Sequence, residues 1–239
     1  MASPRFTPET LRFLKRLARN NDRDWFREHK HEYEEHVRGP MLAVVRQLSE
    51  DLPAFAPDIV ADERRAIYRI YRDTRFSGDK TPLKTNIAAS FPRRGAARHE
   101  SAGLYLEVAP GWVWIGGGLY APTPQGLYRV REHVAANHRA LHRMVTAPAF
   151  VREVAELRGE RLQRVPRGFP ADHPAADYLR YKQFLAFREL PPDTATSRRF
   201  YTTLLGLFRT IAPLVQFLND ALATDQSAGA SKLTMRTTV

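Results

Sequence analysis

The residues best suited to chemistry are concentrated between Arg69 and Asn86, in the run Arg69-Ile70-Tyr71-Arg72-Asp73-Thr74-Arg75-Phe76-Ser77-Gly78-Asp79-Lys80-Thr81-Pro82-Leu83-Lys84-Thr85-Asn86. Arg69, Arg72, Arg75, Lys80 and Lys84 stand against only two carboxylates, Asp73 and Asp79. A guanidinium offers a planar fork that matches phosphate or carboxylate with two parallel hydrogen bonds, and an ammonium adds a point charge. Two aspartates cannot neutralise five cations, so this run is expected to bind an anionic group from outside. The alternative is structural: an Arg-Asp network that pins a loop, because a guanidinium turned towards a core needs a fixed acceptor. The surrounding cations depress both aspartates and favour ion pairing over acid-base work.

A second candidate is Gly116-Gly117-Gly118, which follows a predicted strand and precedes a helix near Pro124. Bare amides of Gly117 and Gly118 beside a helix start suit an anion. A bulge or a close packing contact uses the same residues for purely structural ends. His138 and His142 have a spacing that can put two imidazoles on one helix face, but no glutamate follows His138 as metallohydrolase chemistry requires. His29, His31 and His36 lie among Lys30, Glu32, Glu34 and Glu35, the pattern of an exposed, salt-bridged helix. Trp112 and Trp114 share one strand face and can stack on a ring or pack against helices. No nucleophile-elbow motif is present, and the chain has no cysteine. No complete catalytic set, metal site or cofactor motif is legible.

These residues need a scaffold, and the sequence predicts its parts. Thr7-Pro8-Glu9 opens a helix carrying Leu11, Leu14 and Leu17; Asp22 caps a second; Gly39-Pro40 opens a third through Met41, Val44, Val45 and Leu48. After residue 65 aromatic and β-branched runs predict strands near 66–73, 86–92, 103–109 and 112–117, the last two joined as a hairpin by Pro110-Gly111. Alternation along 66–73 puts Arg69 and Tyr71 on one face, and Tyr68, Ile70 and Arg72 on the other. Helices are expected at 124–136, 138–145 and 147–157, a strand near 183–190, and a long helix over 194–222 kinked at Pro213. The fold class is α+β: a mainly antiparallel central sheet packed by N-terminal and C-terminal helices, in a single domain over 1–226. Residues 227–239 are expected to form a mobile tail.

The formal net charge of +11 is unevenly spread. Residues 1–60 are balanced, whereas 61–100 hold ten basic against five acidic side chains and 127–168 nine against four. A focused field selects partners while a scattered excess mainly sets solubility; the second stretch reads as scattered and the first does not. The lack of cysteine, of an apolar leader in the first residues and of an uninterrupted apolar run of about 18 residues points to the cytoplasm and away from a membrane.

The run from Arg69 to Pro82, with Asn20-Asn21-Asp22-Arg23-Asp24-Trp25-Phe26 upstream and Gly116-Gly117-Gly118 downstream, resembles a bacterial family known as domain of unknown function 2461. The resemblance extends over about residues 6–222 and departs at Leu83, where the family pattern has tyrosine. It implies fold and extent and carries no activity, so function rests on the residues. Three readings follow. The first is an Arg/Lys-lined site for a phosphate- or carboxylate-bearing small molecule. The second is sequence-tolerant nucleic-acid binding through a basic surface of 61–100 and 127–168, although no helix-turn-helix, RNA-recognition or zinc signature is present. The third is an interaction module whose Arg-Asp network only stabilises. Ligand, reaction and oligomeric state are not encoded in any motif.

Overall fold

The computed structural model describes residues 3–75, 78–98 and 100–223. The expected tail, together with Phe76, Ser77 and His99, lies outside the described residues.

Thr7, Pro8 and Glu9 start helix α1 (Pro8–Arg19), with the Thr7 amide donating to the Thr10 hydroxyl at 3.2 Å. Asp22 caps α2 (Arg23–Glu28) by accepting from the Asp24 and Trp25 amides. The chain continues through α3 (Lys30–Tyr33) and a π turn (Glu34–Arg38) into α4 (Gly39–Asp51). The π turn has an identifiable cause. Pro40 has no N–H to give the His36 carbonyl, which instead accepts from the fully buried Thr10 hydroxyl at 2.5 Å.

The sheet is antiparallel in the order β1 (Ile87–Phe91), β2 (Gly103–Val108), β3 (Val113–Leu119), β4 (Phe184–Leu190). Helices α5 (Pro124–Ala136), α6 (His138–Val145), α7 (Pro148–Val154) and α8 (Ala176–Leu179) precede β4 in pieces around it, and α9 (Phe200–Ala223) is the last element of the described residues. Alternation gives the sheet two unlike faces. Ile87, Ala89 and Phe91, Leu104, Leu106 and Val108, Ile115 and Leu119, and Phe184 and Ala186 are buried on one face. Across β3 lies α9, on which α5, α6 and α7 pack, while α4 reaches β1. One buried cluster runs from Phe6 to Ala221. Asn219, 1% exposed, fastens α9 to the start of β2 through two hydrogen bonds with the Ala102 backbone.

Three expectations need correction. Residues 66–73 are extended but form no ladder strand: they touch the sheet region through single bridges, Ile67 to Ala89 and Tyr71 to Leu83. Four steps on one side oppose six on the other, so a continuous antiparallel register cannot be kept. The helix expected at 147–157 stops at Val154, where Ala155 takes a positive φ of 72°. Residues 192–196 form a 3-10 turn, and α9 begins only at Phe200. From there it runs through Pro213, which sits on the solvent side with Arg209, whose carbonyl loses its helical donor. By length and composition α9 alone among the described residues could cross a membrane, but 56% of its apolar window is buried inside the fold.

Candidate functional site

The basic run divides into two groups with different surroundings. In the exposed loop, Arg72 bonds the Asp79 carboxylate and the Thr81 hydroxyl. Asp79 also accepts from the Thr81 amide at 2.9 Å and hydroxyl at 2.8 Å. Arg75 grips Asp73 through Nε at 3.0 Å and Nη2 at 2.8 Å, and Lys80 donates to the Thr74 carbonyl at 3.0 Å. Hydrogen bonds from Arg75 hold Asp73 at a pKa of about 2, and those from Thr81 and Arg72 do the same for Asp79. Arg69 is exposed. None of Arg69, Arg72, Asp73, Arg75, Asp79 and Lys80 lines the cavity of about 500 Å3 on the sheet, whereas Lys84, Gly117 and Gly118 do.

The loop pairs have different expected worth. The Arg72 side chain is 29% exposed and joins two partners, whereas that of Arg75 is 76% exposed. Arg72→Ala should lower Tm by about 2–4 °C, equivalent to about 1 kcal/mol, whereas Arg75→Ala should leave Tm unchanged. Thermal melts of both variants read this directly. Because the Asp73 and Asp79 pKa values are depressed from 3.8, their contribution is complete above about pH 4 and is lost as pH falls through about 2.

The junction of α1 and α2 meets the basic run here. Asn21 donates to the Leu83 carbonyl at 2.9 Å and accepts from its amide at 3.0 Å, and Phe26 meets the Tyr71 ring edge-on at 5.8 Å. The α1–α2 junction therefore fixes the segment that leads to Lys84. Leu83 is 1% exposed in the core.

On the face of the sheet away from α9 lies a cavity of about 500 Å3. Cross-strand rows build its floor: Ala88, Glu107 and Trp114 in one, Ser90, Tyr105, Gly116 and Phe187 in the next, and Gly103, Gly118 and Leu185 in a third. The glycines leave room because backbone crowds them. A Cβ on Gly116 would lie 2.5 Å from the Phe187 Cβ, and one on Gly118, whose φ is +132°, would lie 2.0 Å from the Phe184 carbonyl oxygen. Gly117 faces the other way and admits α9, its absent Cβ lying 3.0 Å from Ile211. The backbone of all three glycines pairs with β2 and β4, so their amides are engaged within the sheet.

The wall of this cavity is polar and asymmetrically charged. Glu107, 6% exposed, accepts from Asn86 Nδ2 at 2.6 Å, Tyr105 Oη at 2.6 Å and Trp112 Nε1 at 3.1 Å. Burial and then the Glu107 charge push the Tyr105 phenol up, so it stays protonated. Tyr68 is flanked by two cations, with Lys84 Nζ 4.9 Å and the Arg98 guanidinium 4.2 Å from its ring centre. Neither cation has a carboxylate within ion-pair distance among the described residues, and Arg98 donates only to the Ile67 carbonyl, at 3.4 Å. The Lys84 pKa is lowered, first by burial and then by Arg69 and Arg98, with Glu107 opposing. The Ser90 hydroxyl is buried without a partner.

Sequence reasoning passed over Tyr68, Ser90, Arg98, Tyr105 and Glu107 as site residues. A polar face alternating with apolar neighbours in Tyr105 and Glu107 was the available signal. Trp114 does face the cavity, with its indole donating to Glu189 at 2.6 Å. His142 bonds the Tyr178 hydroxyl at 2.8 Å and His138 meets the edge of His173, a packing role for both.

Fold and site together define an α+β protein whose four-stranded antiparallel sheet is covered by helices on one face and opens a cation-flanked cavity on the other. The chain belongs to the family described as conserved hypothetical protein (DUF2461), which it matches over residues 9–217. No curated protein matches it.

Proposed function

We propose that the cavity on the open sheet face binds a small molecule that joins a planar ring to an anionic group. The ring lies over the glycine floor among Tyr105, Trp114 and Phe187, and the anion sits between Lys84 and Arg98. The observation that carries this reading is the pair of cations flanking Tyr68 without carboxylate partners, at the wall of a cavity of about 500 Å3. That volume falls within the usual range for small-molecule sites, roughly 300–1,000 Å3. Aromatic walls favour a flat apolar body, and unpaired partly buried cations favour a negative head. Of the residues singled out from sequence, Lys84, Gly117 and Gly118 belong to this site. The Arg72–Asp79 and Arg75–Asp73 pairs instead hold the loop beside it.

A thermal-shift screen of nucleotides, sugar phosphates and acidic metabolites should raise Tm with some of them. Lys84→Met and Arg98→Met should each weaken binding of such a hit by roughly 10- to 100-fold while the protein stays folded. Because the lowered pKa of Lys84 disfavours its ammonium, affinity should fall as pH rises through that pKa, and binding near it should take up a proton. Calorimetry in two buffers of different ionisation heat reads the uptake. A hit whose affinity is untouched by both substitutions would sink this assignment.

A further inference from the structure

Beside the sheet cavity lies a second hollow of about 460 Å3, whose charged wall is formed by Arg64, Arg65, Arg93, Arg94 and Arg98. Asp62 also lines it, but its carboxylate already accepts from the Arg64 amide at 2.8 Å. Glu63, next along the chain, is held by Arg46 at 2.9 and 2.8 Å. None of the five arginines is within ion-pair distance of a carboxylate among the described residues. The backbone that carries them is fixed. The Val60 amide donates to the Pro92 carbonyl at 3.0 Å, the Arg94 amide to the Asp58 carbonyl at 2.7 Å, and the Arg93 amide to the Ser101 hydroxyl at 3.2 Å. Five arginines and one carboxylate, Asp62, line this hollow, so it carries a net positive charge that a multiply charged anion would neutralise.

The two hollows share a wall: Ser90, Pro92 and Arg98 line both. At that junction the buried Ser90 hydroxyl has no hydrogen-bond partner, an unmet donor between a ring-sized cavity and an arginine basin. We infer that the site takes a nucleotide-class ligand, its base and sugar in the sheet cavity, its first phosphate at Arg98 and Ser90, and its further phosphates in the basin of Arg64, Arg65, Arg93 and Arg94. This rests on the cavity reading above and adds the polyphosphate as the second determinant.

The test measures dissociation constants, by tryptophan quenching and calorimetry at fixed ionic strength, for nucleosides, their monophosphates and their triphosphates in the four base series. Tripolyphosphate alone and a short single-stranded oligonucleotide complete the probes. The proteins are wild type and the double variant Arg65→Ala/Arg94→Ala, whose side chains are exposed and lie away from the ring cavity. At least one triphosphate should bind roughly 10- to 100-fold tighter than its monophosphate, and the double variant should erase that gain while leaving the monophosphate unchanged. Equal affinities for monophosphate and triphosphate overturn the basin while leaving the cavity reading standing. Tripolyphosphate binding without any nucleotide preference overturns the ring assignment and with it the proposal. An oligonucleotide that displaces the triphosphate with affinity rising with strand length overturns it in favour of nucleic acid, and no binding by any probe sinks both readings.

Discussion

Gly118→Ala is expected to lower Tm by about 6–12 °C, corresponding to about 3 kcal/mol, the scale of a backbone clash that no rotamer relieves. Two effects act together. Gly118 has a φ of +132°, a conformation that L side chains rarely adopt, and its added methyl would lie 2.0 Å from the Phe184 carbonyl oxygen and 3.0 Å from the Phe184 carbonyl carbon. Because the obstacle is the backbone of β4, relief requires β3 and β4 to separate at the pairing of Gly118 with Leu185. Gly206→Ala is the matched control: it lies on the exposed side of α9 with nothing within 4 Å of an added Cβ. There alanine should stabilise by up to about 1 kcal/mol, because it removes unfolded-chain entropy and has the higher helix propensity. A pair of melts compares them, and a wild-type Tm for Gly118→Ala would show that the sheet can shift to accommodate a side chain on its floor.

Glu107→Gln should move stability and anion affinity in opposite directions. The carboxylate is 6% exposed and accepts from three donors, so an amide in its place presents one N–H2 towards the Tyr105 hydroxyl or towards Asn86 and Trp112, and a charge-assisted bond is lost. The cost is about 1.5–3 kcal/mol, read as a Tm fall of about 3–12 °C. The same change removes the carboxylate that lines the cavity and that opposes the depression of the Lys84 pKa. With that charge gone the field at Lys84 and Arg98 becomes more positive, and at a pH where Lys84 keeps its proton an anionic ligand should bind several-fold tighter. Titration of the variant with a thermal-shift hit decides the matter. Weaker binding would mean that Glu107 itself grips the ligand, which is incompatible with an anion as the recognised group.

Most of the scaffold was legible because its signals are local. Thr7-Pro8-Glu9 and Asp22 start helices where capping chemistry says they should, and Pro110-Gly111 joins β2 to β3, with the Ala109 amide bonded to the Trp112 carbonyl at 2.9 Å. The segment at 66–73 misled because its alternation is real: Ile70 is buried, Tyr68 and Arg72 are partly buried, and Arg69 and Tyr71 are exposed. Alternation reports which side faces the core, and says nothing of whether a partner in register exists along the whole length.

The arginine surplus of residues 61–100 is a fact of composition and needed no coordinates. Its distribution did. Asp73 and Asp79 pair with Arg75 and Arg72, and which two of the five cations they take is not given by a count over the loop. Among the described residues the cations without acid partners include Arg69 and Lys80 in the loop, Lys84 and Arg98 on either side of Tyr68, and the other arginines of the basin. Arg64 and Arg65 precede β1 while Arg93, Arg94 and Arg98 follow it, so no spacing rule in the chain joins them. The sequence alone determined the helices, the hairpin, the α+β class and the excess of positive charge, because capping, turn and periodicity signals act within a few residues. Only tertiary structure decided which charges are neutralised and where the cavity opens, because pairing across a sheet and the meeting of distant loops depend on residues far apart in the chain.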